Sequence, residues 1–139
     1  MIKQPPANGK AAPLRVFLVE DSRTVRELII EHLSDIEGLE FTSFADTQND
    51  ALIQLRTQPF DVVIFDIELL QGNGINVLRS LAETPTSCDS VKIIFSNNVS
   101  GAYRRIGAQY GVHHFFDKTA DLPRLHALLT QIKRDSAQK

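Results

Sequence analysis

Short runs of consecutive apolar residues alternate, five times along the chain, with longer segments whose apolar residues recur every three or four positions. The first pattern predicts buried strands and the second amphipathic helices. Arg15 to Val19 is the first strand. Ser22 is placed to cap a helix in which Val25, Leu28/Ile29, His32/Leu33 and Ile36 recur at helical spacing, ended by Gly38. Leu39 to Phe44 is a second strand, more alternating and more polar, as suits a sheet edge. Asp46 is read as the cap of a helix carrying Ala51, Leu52 and Leu55 and stopped before Pro59. Asp61 to Asp66 encloses Val62-Val63-Ile64-Phe65, too apolar for a strand wetted on one side. After a loop with Gly72 and Gly74 comes a helix with Ile75, Leu78 and Leu81, ending before Pro85. Val91 to Phe95 is the fourth strand. Ser100 starts a helix with Tyr103, Ile106 and Tyr110, and Gly111 stands at its C-terminal end. Val112 to Asp117 is the fifth strand. Asp121 and Pro123 open a last helix with Leu122, Leu125, Leu129 and Ile132 along one face.

Five strand–helix units predict an open α/β fold, (βα)5, with a parallel sheet covered by helices on both faces. The polar second strand belongs at an edge, which selects the flavodoxin-like strand order 2-1-3-4-5. In that order the switch point lies between the first and third strands, and sites form beyond the carboxyl ends there. The 139 residues suffice for one ordinary domain. It is read as residues 14–134, with a flexible polar tail over 1–13 and a short tail over 135–139.

The formal net charge of −2 gives no electrostatic footprint for nucleic acid or an anionic membrane. No apolar stretch approaches the roughly 20 residues of a membrane span, and residues 1–13 lack the apolar segment of a signal peptide. Cys88 is the single cysteine, with no His, Lys or Arg beside it. A reducing, cytoplasmic setting is therefore expected.

The polar residues that end the apolar runs carry the chemistry. Glu20-Asp21 follow the first strand, Asp66 the third, Ser96-Asn97 the fourth, and Asp117-Lys118 close the fifth. The topology predicts that Glu20, Asp21, Asp66, Ser96 and Lys118 meet on one rim. Carboxylates crowded together repel, so without a cation their affinity for protons should rise. Mg²⁺ relieves that repulsion, taking oxygen ligands and a phosphate oxygen in an octahedron. Asp21 and Asp66 are the expected direct ligands, Glu20 a partner through water, and the backbone carbonyl of Glu68 a further oxygen. Asp66 is then a nucleophile for phosphorus, Lys118 a counter-charge for one phosphoryl oxygen, and the Ser96 hydroxyl a donor to another.

In this order, Val19-Glu20-Asp21-Ser22, Asp66 with Gly74 behind it, Phe95-Ser96 and Phe116-Asp117-Lys118 resemble the receiver domain of two-component response regulators. The resemblance runs from Arg15 to about Lys133 and is nearest the stand-alone, chemotaxis type. It implies phosphorylation of Asp66 by a sensor histidine kinase or phosphotransfer protein, with Mg²⁺ as cofactor. It further implies a switch in which Ser96 is drawn in and Phe115, three residues before the lysine, rotates inward. The surface of the fourth helix, fifth strand and fifth helix would then be remodelled for an unknown downstream protein. No nucleic acid or membrane partner is implied, and the state would be a monomer or a phosphorylation-dependent dimer.

Leu70 and Thr119 depart from the family, which usually has proline at both positions. A trans bond is expected before Thr119, because a cis bond before a non-proline costs about 2.5–4 kcal/mol. Two other functions compete. One is a phosphorylation-independent interaction module with the same fold. The other is a phosphatase of the haloacid-dehalogenase type, which favours Asp where this chain has Glu68 and keeps its acidic pair after the lysine. A turnover enzyme is not expected. His113-His114 point to opposite faces of a strand and do not chelate one ion together, and Arg104-Arg105 read as a solvated helix face.

Overall fold

A computed structural model describes residues 12–83, 90–98 and 100–137 of the chain. Cys88 and residues 1–11 of the expected N-terminal tail lie outside the described residues. The elements run β1 (Leu14–Val19), α1 (Arg23–His32), β2 (Leu39–Ala45), α2 (Gln48–Thr57), β3 (Val62–Phe65), α3 (Gly74–Glu83), β4 (Val91–Ser96), α4 (Gly101–Gln109), β5 (His114–Asp117) and α5 (Leu122–Ala137). All strand pairs are parallel, in the order β2-β1-β3-β4-β5, as the sequence predicts.

Strand periodicity divides the core in two. Phe17, Val19, Val63, Phe65 and Ile94 face α2 and α3, where Leu52, Leu55, Ile75 and Leu78 cover them. Val16, Leu18, Val62, Ile64, Ile93 and Phe95 face α1 and α5, where Ile29, Leu33, Leu125 and Leu129 cover them. All four residues of β3 are buried, which is why that segment reads as a continuous apolar run. Edge strand β2 instead alternates, with Ser43 and Ala45 buried and Thr42 and Phe44 exposed.

Several boundaries differ from the sequence reading for local reasons. Thr47, not Asp46, caps α2, its hydroxyl accepting the Asp50 N–H at 3.2 Å. Asp46 instead gives its carbonyl to the Leu70 N–H at 3.1 Å. Helix α1 stops at His32, where the Ser34 hydroxyl takes the Glu31 carbonyl at 2.7 Å and a turn replaces the helical ladder. Gly38, with φ +88°, therefore marks the entry to β2 and not the helix end. Gly111 (φ +90°) follows α4 as expected. Asp121 precedes α5 and its carbonyl accepts the Leu125 N–H, but its carboxylate reaches back to the Asp117 N–H at 2.9 Å. Helix α5 continues to Ala137, through part of what reads as a C-terminal tail.

Two loops at the carboxyl end of the sheet are laced together. The Gln48 N–H donates to the Gln71 carbonyl at 2.9 Å, and the Gln48 side-chain oxygen accepts the Asn73 N–H at 3.2 Å. Gly74 begins α3 with its Cα against the backbone of Asp66, where a Cβ would stand 2.3 Å from the Asp66 carbonyl oxygen. No rotamer relieves a clash with backbone. Gly74→Ala is therefore expected to destabilise the fold by about 1–3 kcal/mol, read from the urea midpoint, and to shift the Asp66 amide resonance. An unchanged midpoint and resonance would show that this close approach does not hold Asp66 in place.

Candidate functional site

The site follows from strand register. Val19 lies opposite Phe65, and the Asp66 N–H donates to the Val19 carbonyl at 2.7 Å, so Asp66 emerges beside Glu20. Ser96 lies opposite Asp117, and the Lys118 N–H donates to the Ser96 carbonyl at 3.2 Å. Carboxylate oxygens of Glu20, Asp21 and Asp66 gather within 4.8 Å of one another. Glu20 and Asp66 are buried, at 3% and 5% exposure, whereas Asp21 is open to solvent. The Lys118 ammonium sits 2.6 Å from Glu20 Oε1 and 2.6 Å from Asp66 Oδ2.

Ser96 is buried, and its hydroxyl accepts the Asn98 N–H at 3.2 Å, shaping the loop after β4. The Glu68 side chain is exposed and lies outside the acidic group, while its backbone N–H donates to Asp66 Oδ1 at 3.3 Å. Phe115 is half-buried and packs toward α4. Of the two adjacent histidines, His113 is exposed and His114 half-buried. Burial, and then the charge of His113, lower the pKa of His114.

One ammonium cannot neutralise two buried carboxylates. Burial raises the Glu20 pKa to about 7, outweighing the hydrogen bonds from Lys118 and the Ser22 N–H, with the Asp66 charge adding in the same sense. The rise expected from repulsion is thus present at Glu20, but desolvation is its main cause. Burial pulls the Lys118 pKa down, yet the bonds to Asp66 and Glu20 together hold it above the ordinary lysine value.

Three supports were not found from the sequence. The Thr119 N–H and hydroxyl both bond Asp117 Oδ1, at 2.7 and 2.6 Å, and this turn presents Lys118. Those bonds, the hydroxyl's first, hold the Asp117 carboxyl below its usual pKa. The Lys118–Thr119 bond is trans, as expected. An Asp two residues before a Thr was the available signal. Arg26 donates to the Glu20 carbonyl at 2.7 Å, and Gln48 braces the loop after Asp66. No short-range pattern announces either of these two contacts.

The Glu20 shift has a sign that can be checked. Its proton is held more tightly in the folded chain than in the unfolded one. The associated stability is complete below the unfolded value of 4.5 and is lost as pH rises through about 7. With chelator present, wild type should lose stability relative to Glu20→Gln between pH about 5 and about 7.5. Urea midpoints at the two pH values measure this, and parallel midpoints would refute it.

Residues 16–130 match the response regulator receiver domain family. Over 77 residues, 55% of this chain, the sequence is 34% identical to protein-glutamate methylesterase/protein-glutamine glutaminase 2 of Dechloromonas aromatica (strain RCB), covering 21% of that protein. It is 25% identical over 121 residues, 87% of this chain, to the transcriptional regulatory protein MalR of Bacillus subtilis (strain 168), covering 51% of that protein. The chain thus spans only part of the length of these curated relatives. A CheY-like response regulator receiver domain protein from Methanospirillum hungatei JF-1 has the same fold, with a TM-score of 0.75 and 18% identity over 91% of this chain and 98% of that one. No described helix is long and apolar enough to cross a membrane. Strand order, the acidic group with its lysine and the match over residues 16–130 agree: the chain belongs to the response regulator receiver domain family of two-component systems.

Proposed function

We propose that the chain accepts a phosphoryl group on Asp66 from a sensor histidine kinase or phosphotransfer protein and signals through phosphorylation-dependent protein contacts. The observation that carries this is the Lys118 ammonium shared by two buried carboxylates at 2.6 Å, leaving a net negative site beside exposed Asp21. Such a site favours a divalent cation and a residue that can be esterified.

The donor set fits Mg²⁺. Octahedral oxygens about 2.1 Å from the ion lie roughly 3–4 Å apart, close to the spread of the three carboxylates. Both Glu20 oxygens are already engaged, one by Lys118 and one by the Ser22 N–H at 3.0 Å, which suits a role through water. Asp21, Asp66 and the backbone carbonyl of Glu68 are the proposed direct ligands. When bound, Mg²⁺ neutralises charge on the transferring phosphoryl oxygens.

An Asp66 oxygen forms the new bond to phosphorus as the bond to the donor's leaving atom breaks. Lys118, freed from its contact with that oxygen, follows the charge onto the phosphoryl group. The Ser96 hydroxyl exchanges its bond to the Asn98 N–H for one to a phosphoryl oxygen. Its movement opens space on the α4 side of the sheet into which Phe115 turns. The catalytic residues in this reading are Asp66, Lys118 and Ser96, with Ser96 and Phe115 as the switch.

Acetyl phosphate with Mg²⁺ should add one phosphoryl group to the wild-type chain by intact mass. Asp66→Asn should add none. Chelator should abolish the addition, and Lys118→Ala should slow it by roughly 10²-fold or more, the scale of removing one electrostatic stabiliser. Phosphorylation persisting in Asp66→Asn would overturn the acceptor assignment. Multiple-turnover release of phosphate from a simple ester would favour the phosphatase.

A further inference from the structure

Glu20 and Asp21 occupy the turn between β1 and α1 and are held there in different ways. Glu20 is buried, and its carboxylate is fixed by Lys118 and by the Ser22 N–H. Asp21 is open to solvent. Packing therefore does not place its carboxylate, and the backbone before it must. The peptide unit that joins Glu20 to Asp21 sets where the second carboxylate stands.

The Glu20 N–H still bonds β2, at the Ala45 carbonyl 2.8 Å away. The Glu20 carbonyl lies past the last ladder pairs of β1, and the half-buried Arg26 guanidinium donates to it at 2.7 Å. Long side chains on a helix lean toward its N-terminus, which lets Arg26 of α1 reach back to the turn. The guanidinium carbon also lies 5.6 Å from the centre of the Phe44 ring. Phe44 is a large apolar residue left 40% exposed on edge strand β2. Its carbonyl accepts the Gln54 side-chain amide of α2 at 2.8 Å, so its backbone is anchored. The ring gives the guanidinium a π face to rest on. Arg26 thus bridges the edge of the sheet and the peptide unit before Asp21.

We propose that Arg26 is a positioning residue for the divalent cation: seated on Phe44, it holds the Glu20 carbonyl and through it the place of the Asp21 carboxylate. The inference rests on the reading of Glu20, Asp21 and Asp66 as a Mg²⁺ site. Two effects of Arg26 oppose each other there. Its positive charge repels a cation, and salt screens that repulsion. Its hydrogen bond keeps the carbonyl and the peptide plane that follows in one orientation, which salt does not screen. Partners that orient metal ligands are typically worth about 10–100-fold in metal affinity. A half-buried charge outside the ligand shell acts through a high effective dielectric and contributes less. Orientation wins, so loss of the guanidinium weakens Mg²⁺ binding even though it makes the site more negative.

Titration of Mg²⁺ into the isotope-labelled chain, followed by the Asp21 and Asp66 amide resonances, tests this. Arg26→Gln should raise the dissociation constant about tenfold or more. Its ratio to wild type should hold between about 0.1 M and about 1 M salt, over which the screening length falls severalfold. Arg26→Lys keeps the charge and a donor and should recover part of the loss. Phe44→Leu should raise the constant about two- to fivefold, the scale of an exposed cation–π contact. These two variants read the same constant if Arg26→Gln does not fold. Arg23→Gln removes the same charge from an exposed position of the same helix and should change nothing. Without Mg²⁺, Arg26→Gln should shift the Asp21 amide, which belongs to the peptide unit that Arg26 holds. The proposal is overturned if Arg26→Gln binds Mg²⁺ as tightly as wild type or more tightly. It is overturned equally if Arg23→Gln weakens binding to the same extent, or if the weakening vanishes in high salt. Asp21→Asn binding Mg²⁺ like wild type would instead sink the magnesium reading. The ion-free Asp21 amide would still test the Arg26 contact, and an unmoved resonance overturns it.

Discussion

The site is organised around an electrostatic shortfall. Glu20 and Asp66 are both buried, and a single ammonium at 2.6 Å from each must serve them together. Taking charges out of water costs several kcal/mol per ion, so this arrangement persists only because the surrounding fold enforces it. The structure accommodates the excess by letting Glu20 bind a proton near neutrality and by leaving Asp21 in solvent. The acidic group is thus prepared for positive charge from outside, and a cation binding there competes with the Glu20 proton.

What enforces the arrangement is parallel register. β1 and β3 end level with one another, and β4 and β5 do likewise, so the residue after each strand arrives at the same height. The two apolar layers, one beneath α2 and α3 and the other beneath α1 and α5, fix that register. A slip by one residue would turn every strand's apolar side chains to the opposite layer. Above the sheet the loops are braced to each other, through Gln48 to residues 71 and 73 and through Arg26 to the Glu20 carbonyl. The geometry of the carboxylates therefore depends on packing far below them.

Most of this architecture could be read from the chain because burial on both faces leaves an unmistakable mark. Val62-Val63-Ile64-Phe65 has no polar residue, and Asp66 follows at once. The uneven polarity of Leu39 to Phe44 placed β2 at the edge. Sequence failed where adjacent residues compete for the same local role. Asp46 and Thr47 are both good caps, and only the pairing of Thr47 with Gln71 across two loops decides between them. Ile36 continues the helical spacing of α1 and is half-buried, yet the backbone has already left the helix. The turn made by Thr119 with Asp117 was obscured for a different reason. Thr119 stands where the family usually has proline, and its bond to Asp117 exists only once the turn has folded. Crowding of carboxylates was legible, but that desolvation outweighs repulsion at Glu20 depends on burial depth, which no linear pattern records.

Lys118 lies on the far side of the sheet order from Glu20 and is 52 residues from Asp66 in the chain. Long-range closures of this kind are the slow, entropically demanding part of building a parallel sheet. A chain that has assembled only its first three strands already holds the carboxylates together but lacks their counter-charge. Such an intermediate is less stable for that reason. The acidic group consequently gains its counter-charge only with the completed sheet, and a half-folded molecule carries that negative charge uncompensated.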